Sequence, residues 1–354
     1  MKIAVDAMGG DLGPRPAVQG AVMAARKFDV EVFVVGRERH LRRLLSALRV
    51  DDPRIHVVDA PEVVTMLDNP SESLRKRRSS LAVAAELVKN GEADALVSAG
   101  NTGAVVARVL MSWRTIPPIK KPAIATLLPS IDGRVVVIDS GAVVDAKPHQ
   151  LVNFAAMGAC YAQEVLHRRN PRIGVVSIGE EETKGNEQSL ATAALLRQTR
   201  LNFLGNAEGR DAFTGDFDVL VCDGFVGNVM LKTAEGTAKL VMQSLKREAE
   251  KSLRATIAGW LLKPAIMSIK RRTDHEHLGG APLLGVNGVC IIAHGSAGEK
   301  AYMNAIRVAA EGVSADLVNK QRQWLDATLK DLTRATTAAE PAPSPEPEPT
   351  AAGA

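Results

Sequence analysis

The stretch MKIAVDAMGGD, residues 1–11, places a short apolar run directly before a loop of glycine and aspartate. The apolar run is typical of a strand buried on both faces, and the glycines favour a sharp turn after it. Eight further apolar, β-branched runs follow, and stretches with helical periodicity lie between many of them. This alternation predicts an α/β fold with a mostly parallel sheet and helices on both faces. The nine runs are Ile3–Val5, Val32–Val35, Ile55–Val58, Ala95–Val97, Ile124–Leu128, Val135–Ile138, Ile173–Ile178, Val219–Cys222 and Val289–Ile292.

The composition of the 354 residues excludes several classes of protein. Aromatic residues make up only 3%, so the core must be built from Val, Leu, Ile and Ala, and stacking platforms for nucleic acid are missing. Three cysteines, Cys160, Cys222 and Cys290, lie in apolar runs and are expected to be buried. No His/Cys cluster has metal-ligand spacing, so we expect neither a metal nor an organic cofactor. The net charge of +4 favours anionic partners.

The ends of the chain bear on its organisation. The N-terminus enters a strand without the apolar region of a signal peptide, and no apolar run reaches the roughly 20 residues of a membrane span. We therefore expect a cytoplasmic protein. One α/β domain is predicted over residues 1–335, with its last helix near Gly298–Lys320. Residues 336–354 are Pro-rich and predicted to be a disordered tail.

Six of the predicted strands run into loops that share one chemistry, glycine beside Asp, Asn, Ser, Thr or Lys. Parallel sheets bind ligands at the carboxyl ends of their strands, where glycine lets an anion approach backbone N–H groups. Glycine is also common in any turn between a strand and a helix, so a single loop would carry no inference. None of the six is a dinucleotide fingerprint or a Walker A loop, which favours a small anion such as phosphate. The loops are residues 6–11, 98–103, 139–141, 179–186, 222–228 and 293–298.

Three side chains in these loops are candidates for catalysis. Lys184 could neutralise phosphate, or it could be a solvated lysine paired with Glu181 or Glu182. Asn228 could stabilise an oxyanion or cap a helix, as could Asn101. His294 could act as an acid, a base or a donor, or it could be a buried structural histidine. The candidate phosphate- or substrate-binding residues are Gly9, Gly10, Asp11, Gly100, Asn101, Thr102, Gly103, Gly185, Asp223, Gly224, Gly227 and Gly295.

The aspartates, serines and cysteines of the sequence restrict which catalytic mechanisms are possible. Asp6, Asp11, Asp139 and Asp223 follow strands, but they are as well suited to holding loop N–H groups as to binding Mg²⁺. No serine lies in a GxSxG elbow, and no cysteine in a strand-end loop has a histidine nearby in sequence. A substrate that is itself the nucleophile would account for this absence.

Residues 246–272, KREAEKSLRATIAGWLLKPAIMSIKRR, are basic and amphipathic. Ile257, Trp260 and Leu261 share one helical face, and Ile266 resumes the pattern after Pro264. We interpret the segment as a hairpin of two short helices joined at Lys263 and Pro264, resting on an anionic membrane surface. A dimer interface or a core helix pair is the alternative. The basic run at residues 75–78 is either an exposed loop or a dock for an acidic protein.

Five segments together closely resemble the bacterial phosphate acyltransferases, the PlsX-type acyl carrier protein:phosphate acyltransferase family. The resemblance extends from residue 1 to about residue 320, and its last segment is the most specific. At residues 140–143 the chain reads SGAV where the family is expected to have Gly-Ala-Asn, which leaves the polar role of that loop open. The segments are VDAMGGD at 5–11, SAGNTGA at 98–104, GEEETKGNE at 179–187, CDGFVGNV at 222–229 and GGAPLLGVNGVCIIAHGSA at 279–297.

The resemblance implies a reaction and its partners. Acyl carrier protein would donate an acyl group to inorganic phosphate, and the acyl phosphate would feed a membrane glycerol-3-phosphate acyltransferase in phospholipid synthesis. It also implies a homodimer and a fold like those of isopropylmalate dehydrogenase and phosphotransacetylase, while peripheral association with the membrane is expected from the basic segment 246–272. The alternatives are a short-chain phosphotransacetylase, a decarboxylating dehydrogenase and a membrane-recruited scaffold that binds acyl carrier protein without turnover.

Overall fold

The computed structural model describes residues 1–273 and 279–339, and a single 11-stranded sheet runs through it. The order of the strands is β3-β2-β1-β4-β11-β10-β5-β6-β9-β7-β8. All nine apolar runs coincide with strands, so the predicted α/β class is confirmed. The strands are β1 (Lys2–Asp6), β2 (Glu31–Gly36), β3 (Ile55–Asp59), β4 (Ala95–Ser98), β5 (Ala123–Ser130), β6 (Gly133–Ile138), β7 (Ile173–Val176), β8 (Phe203–Ala207), β9 (Val219–Val221), β10 (Ala281–Leu284) and β11 (Val289–Ile292).

Helices connect most of the strands and cover the sheet. The most deeply buried of them, residues 148–164, has 11 of its 17 residues in the core. The helices are α1 (Pro14–Phe28), α2 (Glu38–Ala47), α3 (Pro70–Ser73), α4 (Ser80–Lys89), α5 (Thr102–Trp113), α6 (Pro148–Glu164), α7 (Glu187–Leu196), α8 (Gly224–Ala249), α9 (Leu253–Thr273), α10 (Glu299–Ser314) and α11 (Leu317–Ala339). No helix of this described part is long and apolar enough to cross a membrane.

The sheet has two parallel halves that run in opposite directions, which the sequence analysis did not anticipate. Strands β1 to β4 and β11 are parallel to one another, as are β6 to β9. Three antiparallel pairs, β11 with β10, β10 with β5 and β5 with β6, reverse the direction between the halves. The six glycine loops therefore do not leave the sheet in one direction, as a single open parallel sheet would require.

The register nevertheless brings the carboxyl ends of both halves to the same level. Ser98 at the end of β4 pairs with Ile292 at the end of β11. In the other half, Ile138 at the end of β6 pairs with Ala125 of β5. The neighbouring residue of β5, Ile124, pairs with Leu283 of β10. Since β10 in turn pairs with the last residues of β11, the carboxyl ends of the two halves approach one level from opposite sides.

The core consists of small and branched aliphatic side chains, as the scarcity of aromatics predicted. One cluster lies between β1, α1 and α10, and a second surrounds α6, where Phe154 and Tyr161 are among the few buried rings. Cys160, Cys222 and Cys290 are all buried, which confirms the expectation for the cysteines.

Three predicted boundaries were wrong. The last helix is two helices, α10 and α11, because the chain turns at Asp316, whose φ is 50°. Helix α11 continues to Ala339, four residues into the predicted tail, and the rest of that tail lies outside the described residues. The helix break expected at Lys263 and Pro264 is absent: α9 runs through Pro264, and the chain breaks at residues 250–252 instead.

Candidate active site

The loops after β1, β4 and β11 pack their backbones against one another. A Cβ atom at Gly9 would lie 2.9 Å from the Cα of Gly100, and one at Gly295 would lie 2.7 Å from a carboxylate oxygen of Asp11. The backbone N–H of Asp11 also donates to the carbonyl oxygen of Gly295 at 2.8 Å. Since larger residues would not fit at these positions, the three loops pack into one unit, in which Gly9 and Gly100 are buried while Gly10 and Gly295 are partly exposed.

The buried side chain of Asp6 holds this first group of loops in place through hydrogen bonds. Its carboxylate accepts hydrogen bonds from the Ser98 hydroxyl at 2.8 Å and from the Met8 N–H at 3.2 Å. Burial raises the pKa of Asp6, while the hydroxyls of Ser80 and Ser98 act to lower it. The geometry therefore favours the role of holding the loop, one of the two roles considered for this aspartate.

Asn101 joins the first group to a neighbouring segment, residues 61–79. Its side-chain oxygen accepts from the N–H of Ala104 and so caps α5, the helix in which Thr102 and Gly103 are the first residues. Its amide group donates to the carbonyl oxygens of Met66 at 3.0 Å and Asp68 at 3.3 Å. The polar atoms of Asn101 are thus engaged within the protein, as the capping alternative predicted.

His294 follows β11 and is exposed, which excludes the alternative of a buried structural histidine. Its Nδ1 accepts from the N–H of Ser296 at 3.2 Å and lies 2.8 Å from the Ser296 hydroxyl. The imidazole is therefore held at the surface of the first group, with its orientation fixed by Ser296.

A second group of loops follows β6 and β9, where Asp139 has the role that Asp6 has in the first. The Asp139 carboxylate accepts from the N–H groups of Ile124, Gly141, Ala142 and Val143 at 2.6–3.1 Å. Burial raises its pKa, and these four donors act to lower it. The loop at 140–143 thus directs its N–H groups inward to Asp139, which explains how it folds without a polar residue in place of Val143.

The first turn of α8 packs tightly on this second loop. Asp223 caps the helix, its carboxylate accepting from the Val226 N–H at 2.9 Å. A Cβ at Gly227 would overlap the carbonyl oxygen of Asp139, and one at Gly224 would lie 2.7 Å from the Asp139 carboxylate. The motif predicts Asn228 just before the helix, but Asn228 lies inside α8 and is exposed, because Asp223 is the residue that caps the helix.

Lys184 lies in the loop between β7 and α7. Its backbone is fixed, since its carbonyl oxygen accepts from the Ser177 hydroxyl and the Asn206 amide. Its ammonium group is exposed and forms no ion pair within residues 1–273 and 279–339. Glu182 pairs with Arg197 instead, so the alternative of a Lys184–Glu182 pair is wrong. Gly185 adopts a φ of 133°, which strains any other residue.

The candidate residues thus form two groups and a separate lysine loop, and the described contacts do not join them directly. Residues 61–79 also contribute to the site, although the sequence did not indicate it: Met66 covers Gly295 and Pro70 covers Gly103. No periodicity or motif pointed to these contacts, because they join positions far apart in the chain.

The thiols do not supply a nucleophile. Burial raises the pKa values of Cys160, Cys222 and Cys290, that of Cys222 well above the usual value for a thiol. A thiolate is the reactive form, so these three residues are neither charged nor accessible at neutral pH. This agrees with the inference that the attacking group belongs to a substrate.

Comparisons with known proteins give the same family as the motifs. A family model described as fatty acid synthesis protein matches residues 1–320. The chain is 47% identical over 328 residues to a phosphate acyltransferase of Pelotomaculum thermopropionicum, covering 92% of this chain and 96% of the relative. It is also 47% identical over 321 residues to a phosphate acyltransferase of Aquifex aeolicus, covering 90% and 95%.

A solved structure supports the predicted fold. A phosphotransacetylase from Streptococcus pyogenes superimposes with a TM-score of 0.59 at 18% identity, covering 89% of this chain and 94% of that one. At this identity the likeness shows a phosphotransacetylase-like fold and nothing of the substrate. The similarity of sequence over nearly the whole length of both chains decides the rest: the chain belongs to the PlsX-type phosphate acyltransferase family, and it is an acyltransferase.

Proposed function

We propose that this enzyme transfers a fatty acyl group reversibly from acyl carrier protein to inorganic phosphate, giving acyl phosphate for phosphatidic acid synthesis. The observation that carries the proposal is the surface formed where the loop backbones pack together at Gly9, Gly100 and Gly295, which leaves Gly10 and Gly295 partly exposed. Such a surface suits an anion, because backbone N–H groups can meet phosphate oxygens without an intervening side chain. Lys184, which has an exposed ammonium group, supplies a positive charge that no carboxylate of the described residues neutralises.

The proposed chemistry needs no covalent enzyme intermediate. A phosphate oxygen attacks the thioester carbonyl carbon, and the carbonyl oxygen becomes an oxyanion. When this tetrahedral species collapses, the C–S bond breaks and the thiolate of the carrier leaves and takes up a proton. The products are acyl phosphate and the free carrier thiol. The work of the protein is then to position the two substrates and to stabilise the oxyanion.

Asn228 and His294 are the proposed donors to that oxyanion, because both side chains are exposed, Asn228 near the start of α8 and His294 in the loop after β11. Asn101 is the weaker of the three donors considered, since its amide already donates to Met66 and Asp68. Loss of one such donor costs about 3–4 kcal/mol of transition-state stabilisation in other acyl-transfer enzymes. Backbone N–H groups of Gly9, Gly10 and the neighbouring candidate residues would bind phosphate.

We further propose that helices α8 and α9 attach the enzyme to the cytoplasmic face of the membrane. The side chains of Ile257, Trp260 and Leu261 are 53%, 72% and 66% exposed on α9, and Ile266 is half-buried. Exposed basic residues, among them Arg254 and Lys263, lie beside them. Apolar side chains flanked by cations suit an anionic lipid surface, where a membrane glycerol-3-phosphate acyltransferase would consume the product.

The decisive experiment mixes the protein with acyl-acyl carrier protein and phosphate and traps acyl phosphate with hydroxylamine. We expect a hydroxamate that forms only when phosphate is present. Acetyl-coenzyme A in place of the acylated carrier distinguishes a short-chain phosphotransacetylase, which would use it efficiently. The absence of any phosphate-dependent hydroxamate, with the carrier still bound, would leave a scaffold as the function.

A further inference from the structure

The segment 61–79 carries an exposed basic turn beside the first group of site loops. Arg75, Arg77 and Arg78 are exposed and form no ion pair with any carboxylate in residues 1–273 and 279–339. The nearby Asp68 carboxylate binds Lys76 at 2.6 Å, and that of Glu62 accepts the backbone N–H of Arg78. We call residues 75–78 the arginine turn. Its three exposed guanidinium groups are available to a partner.

The arginine turn is held rigidly, which distinguishes it from an ordinary solvated loop. Arg108 of α5 is only 6% exposed, and its guanidinium donates to the carbonyl oxygens of Ser73, Leu74 and Lys76 at 3.0–3.4 Å. Burial lowers the pKa of Arg108, so its charge is held there at a cost that these carbonyl groups offset. Lys76 points inward as well, donating to the carbonyl oxygen of Val63 at 2.9 Å. Charged side chains on a fixed backbone lose less entropy on binding a partner.

The same segment is fastened to the proposed site. Asn101 donates to the carbonyl oxygens of Met66 and Asp68, and Met66 in turn covers Gly295. Between Met66 and Asp68, Leu67 is 97% exposed. The segment 61–79 therefore carries three exposed cations and one exposed apolar side chain, and it contacts the first group of loops through Met66 and Asp68.

We propose that the arginine turn and Leu67 dock an acidic protein surface and that, if the proposed function holds, this partner is the acyl carrier protein. Arginines around a single apolar anchor are typical of a protein interface, in which complementary charge orients the partner. A lipid surface is less suited, because membrane contact requires several apolar side chains on one face, as on α9. Docking here would deliver the thioester of the carrier to the edge of the first group of loops.

The test is the triple variant Arg75→Gln/Arg77→Gln/Arg78→Gln in the full-length protein. We expect KM for acyl-acyl carrier protein to rise about tenfold or more, with kcat and KM for phosphate unchanged. Activity with a small acyl-pantetheine thioester, which lacks the protein part, should be unaffected. The matched control is Lys2→Gln/Lys27→Gln/Arg49→Gln, which removes three exposed cations at the opposite end of the same half of the sheet and should leave KM unchanged. Leu67→Ser, which alters no charge, should also raise KM for the acylated carrier.

Each outcome has one meaning. If the unaltered enzyme forms no acyl phosphate from the acylated carrier, the proposed function fails before docking is tested. If it does form product and the triple variant has an unchanged KM, the docking proposal is wrong. If the triple variant loses binding to anionic phosphatidylglycerol vesicles but keeps its KM, the turn binds lipid and the docking proposal is equally wrong.

Discussion

Lys184 combines a fixed backbone with an exposed and unpaired ammonium group, and this makes its role separable from folding. In the variant Lys184→Ala the carbonyl oxygen that accepts from Ser177 and Asn206 remains in place. We therefore expect an unchanged melting temperature and a loss of acyl phosphate formation of at least about 100-fold, the scale of one lost electrostatic contact to a reacting group. The hydroxamate assay measures this. Lys184→Arg, which keeps the charge, should recover part of the activity, and near-normal turnover in Lys184→Ala would remove this lysine from the mechanism.

The buried carboxyl group of Asp6 leads to a prediction about how the stability of the protein depends on pH. Burial raises its pKa in the folded protein above the value of about 3.9 in an unfolded chain. At a pH between those two pKa values the unfolded chain has released this proton, whereas the folded protein retains it. The free energy of unfolding of the wild-type protein therefore falls as pH rises through this window. Asp6→Asn does not titrate and keeps an oxygen for the Met8 N–H. We expect the difference in unfolding free energy, variant minus wild type, to increase with pH across the window and then to level off.

Denaturant unfolding at a series of pH values from 4 to 8 measures this difference. The control is Gln243→Asn, which replaces an exposed side chain without changing any titratable group and should give a flat difference over the same range. A difference for Asp6→Asn that does not vary with pH would contradict the raised pKa of this carboxyl.

At the scale of single elements, the break between α8 and α9 shows which sequence signals were sufficient. Pro264 was expected to end a helix, but a proline removes only one backbone hydrogen bond of the helix, and α9 runs through it. The actual start of α9 was signalled by Ser252, whose hydroxyl accepts from the Ala255 N–H at 3.2 Å. A capping serine was therefore a better guide to this boundary than the proline.

The exposed apolar face of α9 leads to a prediction about membrane binding. Trp260→Ser/Leu261→Ser removes two large apolar side chains of this helix that are 72% and 66% exposed. Because each would bury apolar surface in the lipid, we expect binding to anionic vesicles to fall at least about tenfold, with turnover of soluble substrates unchanged. Vesicle sedimentation measures this. The control Leu204→Ser alters a side chain that is 54% exposed on β8, and undiminished binding of the double variant would exclude α9 as the attachment site.

At the scale of the whole molecule, the class of fold was predictable and the opposed halves of the sheet were not recognised. The apolar composition of a buried strand predicts that a strand is present, but it does not indicate the direction in which the strand runs. One signal of the reversal was present, since only Ile131 and Asp132 separate β5 from β6, and Gly133 follows with a φ of 132°. Two strands so close in sequence must form an antiparallel hairpin. The other two reversals, at the two sides of β10, were hidden, because β10 is a run of four residues, one of them Pro282.

In the candidate site, too, features formed by consecutive residues were predictable, whereas contacts between residues far apart in the chain were not. Glycines, caps and the lysine loop were identified because their chemistry is contained in a few consecutive residues. The contacts of Asn101 with Met66 and of Arg108 with Ser73 join positions about 35 residues apart, and nothing in one sequence relates them. The turn that these contacts hold was accordingly considered only as a run of charge.

The exposed face of α8 leads to the last prediction, which concerns assembly. Val241 and Leu245 lie one turn apart on α8 and are 51% and 49% exposed, with Leu240 beside them at 64%. Contiguous apolar surface of this kind marks an interaction site, and we propose that a second copy of the chain covers it in a homodimer. Val241→Lys/Leu245→Lys should then yield a monomer in sedimentation equilibrium, because two buried ammonium groups would face the partner helix. Gln243→Lys places a charge elsewhere on the same helix and should leave the dimer intact, whereas a double variant that stays dimeric would assign this face to the membrane instead.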